Sequence, residues 1–110
     1  MQERMDKMRM ELRRGVLVLA VLALLREEHY GYSLRKELIA ADIDIEEGTL
    51  YPLIRRLESY GMLESRWGES DGRKRRYYKI STDGETILAT LSQEWKTISG
   101  SVQKILEEEK

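Results

Sequence analysis

Six apolar residues near the C-terminus, Leu88, Leu91, Trp95, Ile98, Val102 and Ile105, are spaced 3, 4, 3, 4 and 3. That is the coiled-coil repeat, which keeps one seam of a helix apolar along its length. A helix from Thr82 to Glu109 would be about 42 Å long at 1.5 Å per residue. A chain of 110 residues folds as one domain with a modest core. Such a rod is long for it, so much of the helix must project and find a partner. A second copy of the chain fits that need. Packing on the chain's own first helix is the competing arrangement.

The segments before the rod carry helical and then strand periods. The run VLVLAVLALL, residues 16–25, is too short to cross a bilayer, which takes roughly 20 residues. It ends in Arg26-Glu27-Glu28 with no small-residue cleavage site, so it reads as a buried helix rather than a signal peptide. The spacing predicts a first helix from Arg4 to Glu28, broken by Tyr30-Gly31. A second follows over Ser33–Ala41, with Ser33 as a cap and Leu34, Leu38 and Ile39 as its apolar face. A third runs from Glu46 to Tyr60, its core stripe Leu50, Leu53, Ile54 and Leu57 at i, i+3, i+4 and i+7. Gly61 closes it in the left-handed conformation. Leu63–Trp67 and Lys74–Ile80 read as two strands joined by the turn residues Gly68 to Gly72. Thr82-Asp83-Gly84-Glu85 reads as a capping box that opens the last helix.

That order gives a mainly α fold with a small β-hairpin: a winged helix-turn-helix plus a long C-terminal helix. Residues 1–81 form the winged part, its first helix also reaching the dimer contact. Residues 82–110 form the dimerisation helix, and the whole is one unit.

Charge is unevenly spread. The total is 19 Lys+Arg against 20 Asp+Glu. From Arg66 to Lys79, however, the local net charge is +4, and from Asp83 to Lys110 it is −3. A local basic patch attracts polyanions even when the total is near zero. On the second strand Tyr78 and Ile80 share a face that packs on the core, while Arg75, Tyr77 and Lys79 share the other. Gly72, Arg73 and Lys74 lie at or near the turn. Lysines also protect strand edges, but five cations between Arg73 and Lys79 exceed that need.

With its core stripe turned inward, the third helix points Gly48, Pro52, Arg55 and Ser59 outward, with Tyr51 and Arg56 on the flanks. Small residues at its start allow close approach to a groove. Thr49 and Tyr51 can donate hydrogen bonds to phosphates. Glu46 and Glu47 count against DNA unless they turn away from it.

Trp95 is large for a coiled-coil seam. Two copies across a dimer axis can hold the helices apart and form a platform for flat, aromatic or cationic ligands. The alternative is a core anchor, and spacing alone favours the anchor. Catalysis has little to stand on. The lone His29 sits at a helix end, no nucleophile motif surrounds a serine, and there is no phosphate-binding glycine loop or metal-ligand spacing. No cysteine is present, so disulfides and cysteine-held zinc are excluded. The expectation is a non-enzyme of the cytoplasm with no cofactor, no metal and no membrane attachment.

The segments GTLYPLIRRLESYGML (48–63) and GRKRRYYKISTDG (72–84), with Trp67-Gly68 between them, closely resemble the PadR family of bacterial transcriptional regulators. The single helix after the wing resembles the small subfamily, whose members are dimers. The resemblance implies that the third helix enters the major groove and the basic hairpin touches flanking backbone. Tyr51 and Arg55 become groove or phosphate contacts, and Arg73 to Arg75 the wing. In multidrug-sensing members, paired tryptophans at the place of Trp95 sandwich planar drugs.

The expected function is a homodimeric repressor on palindromic double-stranded DNA, released by a planar aromatic or cationic effector at Trp95. Its DNA contacts are Thr49, Tyr51, Arg55, Arg56, Arg73, Lys74, Arg75, Tyr77 and Lys79. Its seam is Leu88, Leu91, Trp95, Ile98, Val102 and Ile105. The rival is a ligand-binding or protein-adaptor dimer that does not bind DNA.

Overall fold

Helix α1 (Gln2–Leu24) begins the computed structural model, which describes residues 1–108. Strand β1 (His29–Tyr30), α2 (Gly31–Ala40), α3 (Glu47–Ser59), β2 (Leu63–Ser70), β3 (Arg73–Ile80) and α4 (Thr82–Glu107) follow. The expected end of α4 at Glu109 lies outside the described residues. The first half of α1 is exposed on all sides, whereas residues 16–25 are buried or half-buried throughout. Leu17, Val21, Leu22 and Leu25 meet Leu34 and Leu38 of α2, Leu50, Leu53, Ile54 and Leu57 of α3, and Leu63, Ile80 and Leu88 in one cluster. The all-round apolar run of α1 therefore serves as the central post of the core. Among the described residues, no helix is long and apolar enough to cross a membrane.

Three expectations for α1 and α2 are corrected. The first helix stops at Leu24, four residues short of Glu28. Both the amide and the side chain of Arg26 bond the Ala23 carbonyl, and His29 and Tyr30 then pair antiparallel with Tyr78 and Tyr77. This makes the sheet three-stranded, in the order β1-β3-β2. Ser33 does not cap α2. The helix starts at Gly31 with no side-chain cap, and the Ser33 hydroxyl donates to the Tyr30 carbonyl at 3.0 Å. Of the face assigned to α2, Leu34 and Leu38 are buried, but Ile39 is 43% exposed.

Helix ends follow the physics of left-handed caps. Gly61 has φ +80°, and the Met62 amide returns to the Leu57 carbonyl at 3.0 Å. Asp42, at φ 66°, does the same for α2, with the Ile43 amide on the Leu38 carbonyl. The hairpin turn is tighter than expected. Asp71 and Gly72 both have positive φ, so two residues suffice and the strands extend to Ser70 and Arg73.

The start of α4 is joined to the end of α3. The cap is Ser81 rather than Thr82: its hydroxyl accepts from the Gly84 amide at 3.0 Å and donates to the Gly61 carbonyl at 2.6 Å. The Ser81 amide bonds the Met62 carbonyl at 2.9 Å, and the Ile80 amide bonds the Leu25 carbonyl at 2.8 Å. Gly84 is buried here because a Cβ would overlap the Met62 carbonyl oxygen and press on the Ile80 side chain. Leu88, 8% exposed, lies in the core of its own chain, and half-buried Leu91 packs against it. Packing on the chain's own elements thus holds for these two seam residues. From Trp95 onward the seam is bare: Trp95 is 44% exposed and Ile105 67%.

Candidate nucleic-acid interface

A groove of about 270 Å³ runs between the start of α2, the outer flank of α3 and strand β3. Gly31, Tyr51, Arg55, Lys74 and Arg75 are among its walls. Gly31 is needed for its shape, since a Cβ there would come within 2.8 Å of the Tyr51 ring. Tyr51 is half-buried, and burial raises its hydroxyl pKa, with Glu47 adding to the rise and Arg35 opposing it. The hydroxyl therefore stays protonated and can donate. The first turn of α2, which has no side-chain cap, lies at the same groove, and a helix start favours an anion.

The expected DNA contacts divide into groups. Tyr51, Arg55, Lys74 and Arg75 come together in this groove. Arg73 is exposed at the hairpin turn, and Lys79 is exposed near the base of β3. Thr49 and Arg56 lie on the other flank of α3, where they line a separate hollow of about 540 Å³ with Arg13 and Glu46. Tyr77 is not among the residues that line this groove. It is half-buried, with the Arg66 guanidinium 4.8 Å above its ring and the Tyr30 ring edge-on at 5.5 Å. Strand β1 pairs beside β3, and its Tyr30 side chain, with Arg66, shields the Tyr77 part of the sheet face that alternation left open.

The cations also divide by partner. Arg66 makes a two-pronged bond to Glu28, with both distances 2.7 Å. Hydrogen bonding to Arg66 holds the Glu28 carboxyl below its ordinary pKa. Arg75 lies 4.3 Å over the Tyr30 ring, and its Nε is buried without a hydrogen-bond partner among the described residues. Arg76 bonds Glu58 and Ser65 and stacks 5.4 Å from Trp67. Lys74 lies 5.5 Å from the same ring. Arg55, Arg56, Arg73 and Lys79 make no ion pair among the described residues. The sequence reading missed Tyr30, Gly31, Tyr32, Glu58, Trp67 and Arg76 as parts of this surface. For Arg76 and Trp67 the signal was present: strand alternation puts both on the face of Tyr78.

Residues 18–90 match the family described as Transcriptional regulator PadR-like family. A crystal structure of a PadR family transcriptional regulator from Eggerthella lenta is 42% identical, with a TM-score of 0.88 over 98% of this chain and 96% of that one. A PadR-like transcriptional regulator from Bacillus cereus is 32% identical, with a TM-score of 0.79 over 90% of this chain and 99% of the other. The transcriptional regulator Rv3488 of Mycobacterium tuberculosis is 39% identical over 61 residues, 56% of this chain and 57% of that protein. The chain belongs to the PadR-like family of transcriptional regulators, non-enzymatic proteins that bind DNA.

Proposed function

We propose that the protein is a cytoplasmic, homodimeric repressor that reads a palindromic operator and releases it when a planar aromatic or cationic molecule binds at Trp95. The observation that carries the DNA half is the groove itself. Tyr51, Arg55, Lys74 and the start of α2 come together on one side of α3, with Arg73 at the hairpin tip beyond them. Residues 1–81 are the reading head and α4 is the dimerisation helix. Two heads related by a two-fold axis suit half-sites roughly 34 Å apart.

Two bare arms support the dimer. Trp95, Ile98, Val102 and Ile105 are exposed along α4, and Met1, Met5, Met8 and Leu12 are exposed along one side of α1. Apolar stripes of this length on a monomer mark an interaction surface. Glu46 and Glu47, exposed at the start of α3, are the feature that favours the rival reading of a dimer that binds no DNA.

Selection of bound duplexes from a random pool tests the proposal and separates the two readings. A palindrome is expected; no enrichment at low salt would leave the rival standing. On the selected duplex, Arg73→Ala with Lys74→Ala should weaken binding and flatten the salt slope by about 0.9 for each phosphate contact removed. An unchanged slope would remove the hairpin tip from the interface.

Trp95 is accessible to a ligand without rearrangement of its own chain. In a Trp67→Phe background, planar cationic dyes should quench the remaining tryptophan. Trp95→Ala should lower dye affinity at least tenfold, about 1.4 kcal/mol. Equal dye affinity with and without Trp95 would exclude it as the platform. Release of DNA requires that the ligand bind one dimer arrangement better than the other.

A further inference from the structure

We infer that Glu58 is a positioning residue of the reading head: it fixes the angle between α3 and the hairpin, and so the place where the hairpin tip meets DNA. The inference rests on the DNA-binding reading above and adds to it a residue that lies outside the groove.

Glu58 stands in the last turn of α3, where the negative end of the helix dipole disfavours an acid. Local helix energetics therefore do not account for it. Its Oε2 accepts from the Ser65 hydroxyl at 2.5 Å and from Arg76 Nη2 at 3.4 Å. Arg76 Nε in turn donates to the Ser65 hydroxyl at 3.1 Å. The three groups close a ring that takes one member from α3, one from β2 and one from β3. Among the described residues these are the side-chain hydrogen bonds that join α3 to the hairpin. Trp67 lies beside Arg76 on the same sheet face and limits where its guanidinium can go.

The ring is half-exposed, and ion pairs so exposed add little to stability. Its leverage is geometric. From Ser65 to the Asp71 turn the hairpin runs six residues, about 20 Å at 3.3 Å per residue. A rotation of 10° at the ring would carry the tip about 3.5 Å, close to the 3.4 Å rise between phosphates of one strand. A loose ring would leave α3 seated while the tip cations smear over neighbouring phosphates.

Hydroxyl-radical footprinting on the pool-selected duplex tests this. The original protein should protect a central segment under α3 and flanking segments under the hairpins. Glu58→Gln and Glu58→Ala should keep the central protection and the thermal midpoint, lose at least half of the flanking protection, and bind about tenfold more weakly. The charge exchange Glu58→Arg with Arg76→Glu should restore the flanks, because Ser65 can still donate to the relocated carboxylate. Flanking protection in Glu58→Ala equal to that of the original protein would overturn the inference. A footprint absent from the original protein would instead overturn the DNA-binding reading on which it rests.

Discussion

Gly84→Ala should lower stability by about 3 kcal/mol or more, because the added methyl group meets backbone that cannot step aside. The Met62 carbonyl it would strike is already bonded by the Ser81 amide, and the Ile80 side chain crowds the other flank. Relief requires moving either the end of α3 or the start of α4. A domain of this size has a total of roughly 5–15 kcal/mol, so the loss is a large fraction of it. The thermal midpoint followed by circular dichroism should fall by about 12 °C or more, at roughly 4 °C per kcal/mol. Gly100→Ala is the matched control. It lies in the same helix with nothing within 4 Å of a new Cβ, and alanine should stabilise it by up to about 1 kcal/mol. A Gly84→Ala midpoint within a few degrees of the control would show that the joint is not tight.

Ile98→Glu with Ile105→Glu should abolish the dimer while leaving the head folded. Both side chains are exposed in the single chain, so neither substitution disturbs the core. In a two-fold seam each change counts twice. An uncompensated buried charge costs about 3–5 kcal/mol, so the dimer dissociation constant should rise by more than about 10⁴-fold. Sedimentation velocity at micromolar concentration should show a monomer with near-original helical content. Operator affinity should collapse with it, since one head makes half the contacts. A variant that still sediments as a dimer would place the interface elsewhere.

Most of the fold was legible because its elements carry strong periods. The α3 stripe, the Gly61 cap and the alternation on β3 each fix a face by simple geometry. Strand β1 was not legible: two residues are too few for a period, and its existence depends on Tyr77 and Tyr78 far along the chain. That omission propagated to the site, because β1 carries Tyr30, whose ring packs edge-on against Tyr77 and receives the Arg75 guanidinium. The tight turn was legible and misread. Asp71-Gly72 is a two-residue hairpin signal, and the surrounding glycine and serine drew the loop too wide. Which cations are free could not be read at all. Whether Arg73 or Arg76 is available depends on where Glu58 and Ser65 stand after folding.

The joint at Ser81 also bears on how such a subunit can signal. Its hydroxyl and amide tie the start of α4 to Gly61 and Met62, the cap that follows α3, and Gly84 leaves no slack between them. Reading head and α4 root therefore have no hinge between them and must turn as one rigid body. In the proposed dimer, a ligand on the rods would then act by changing how two rigid subunits meet across their symmetry axis. For such a pair the output is the spacing and tilt of the two heads.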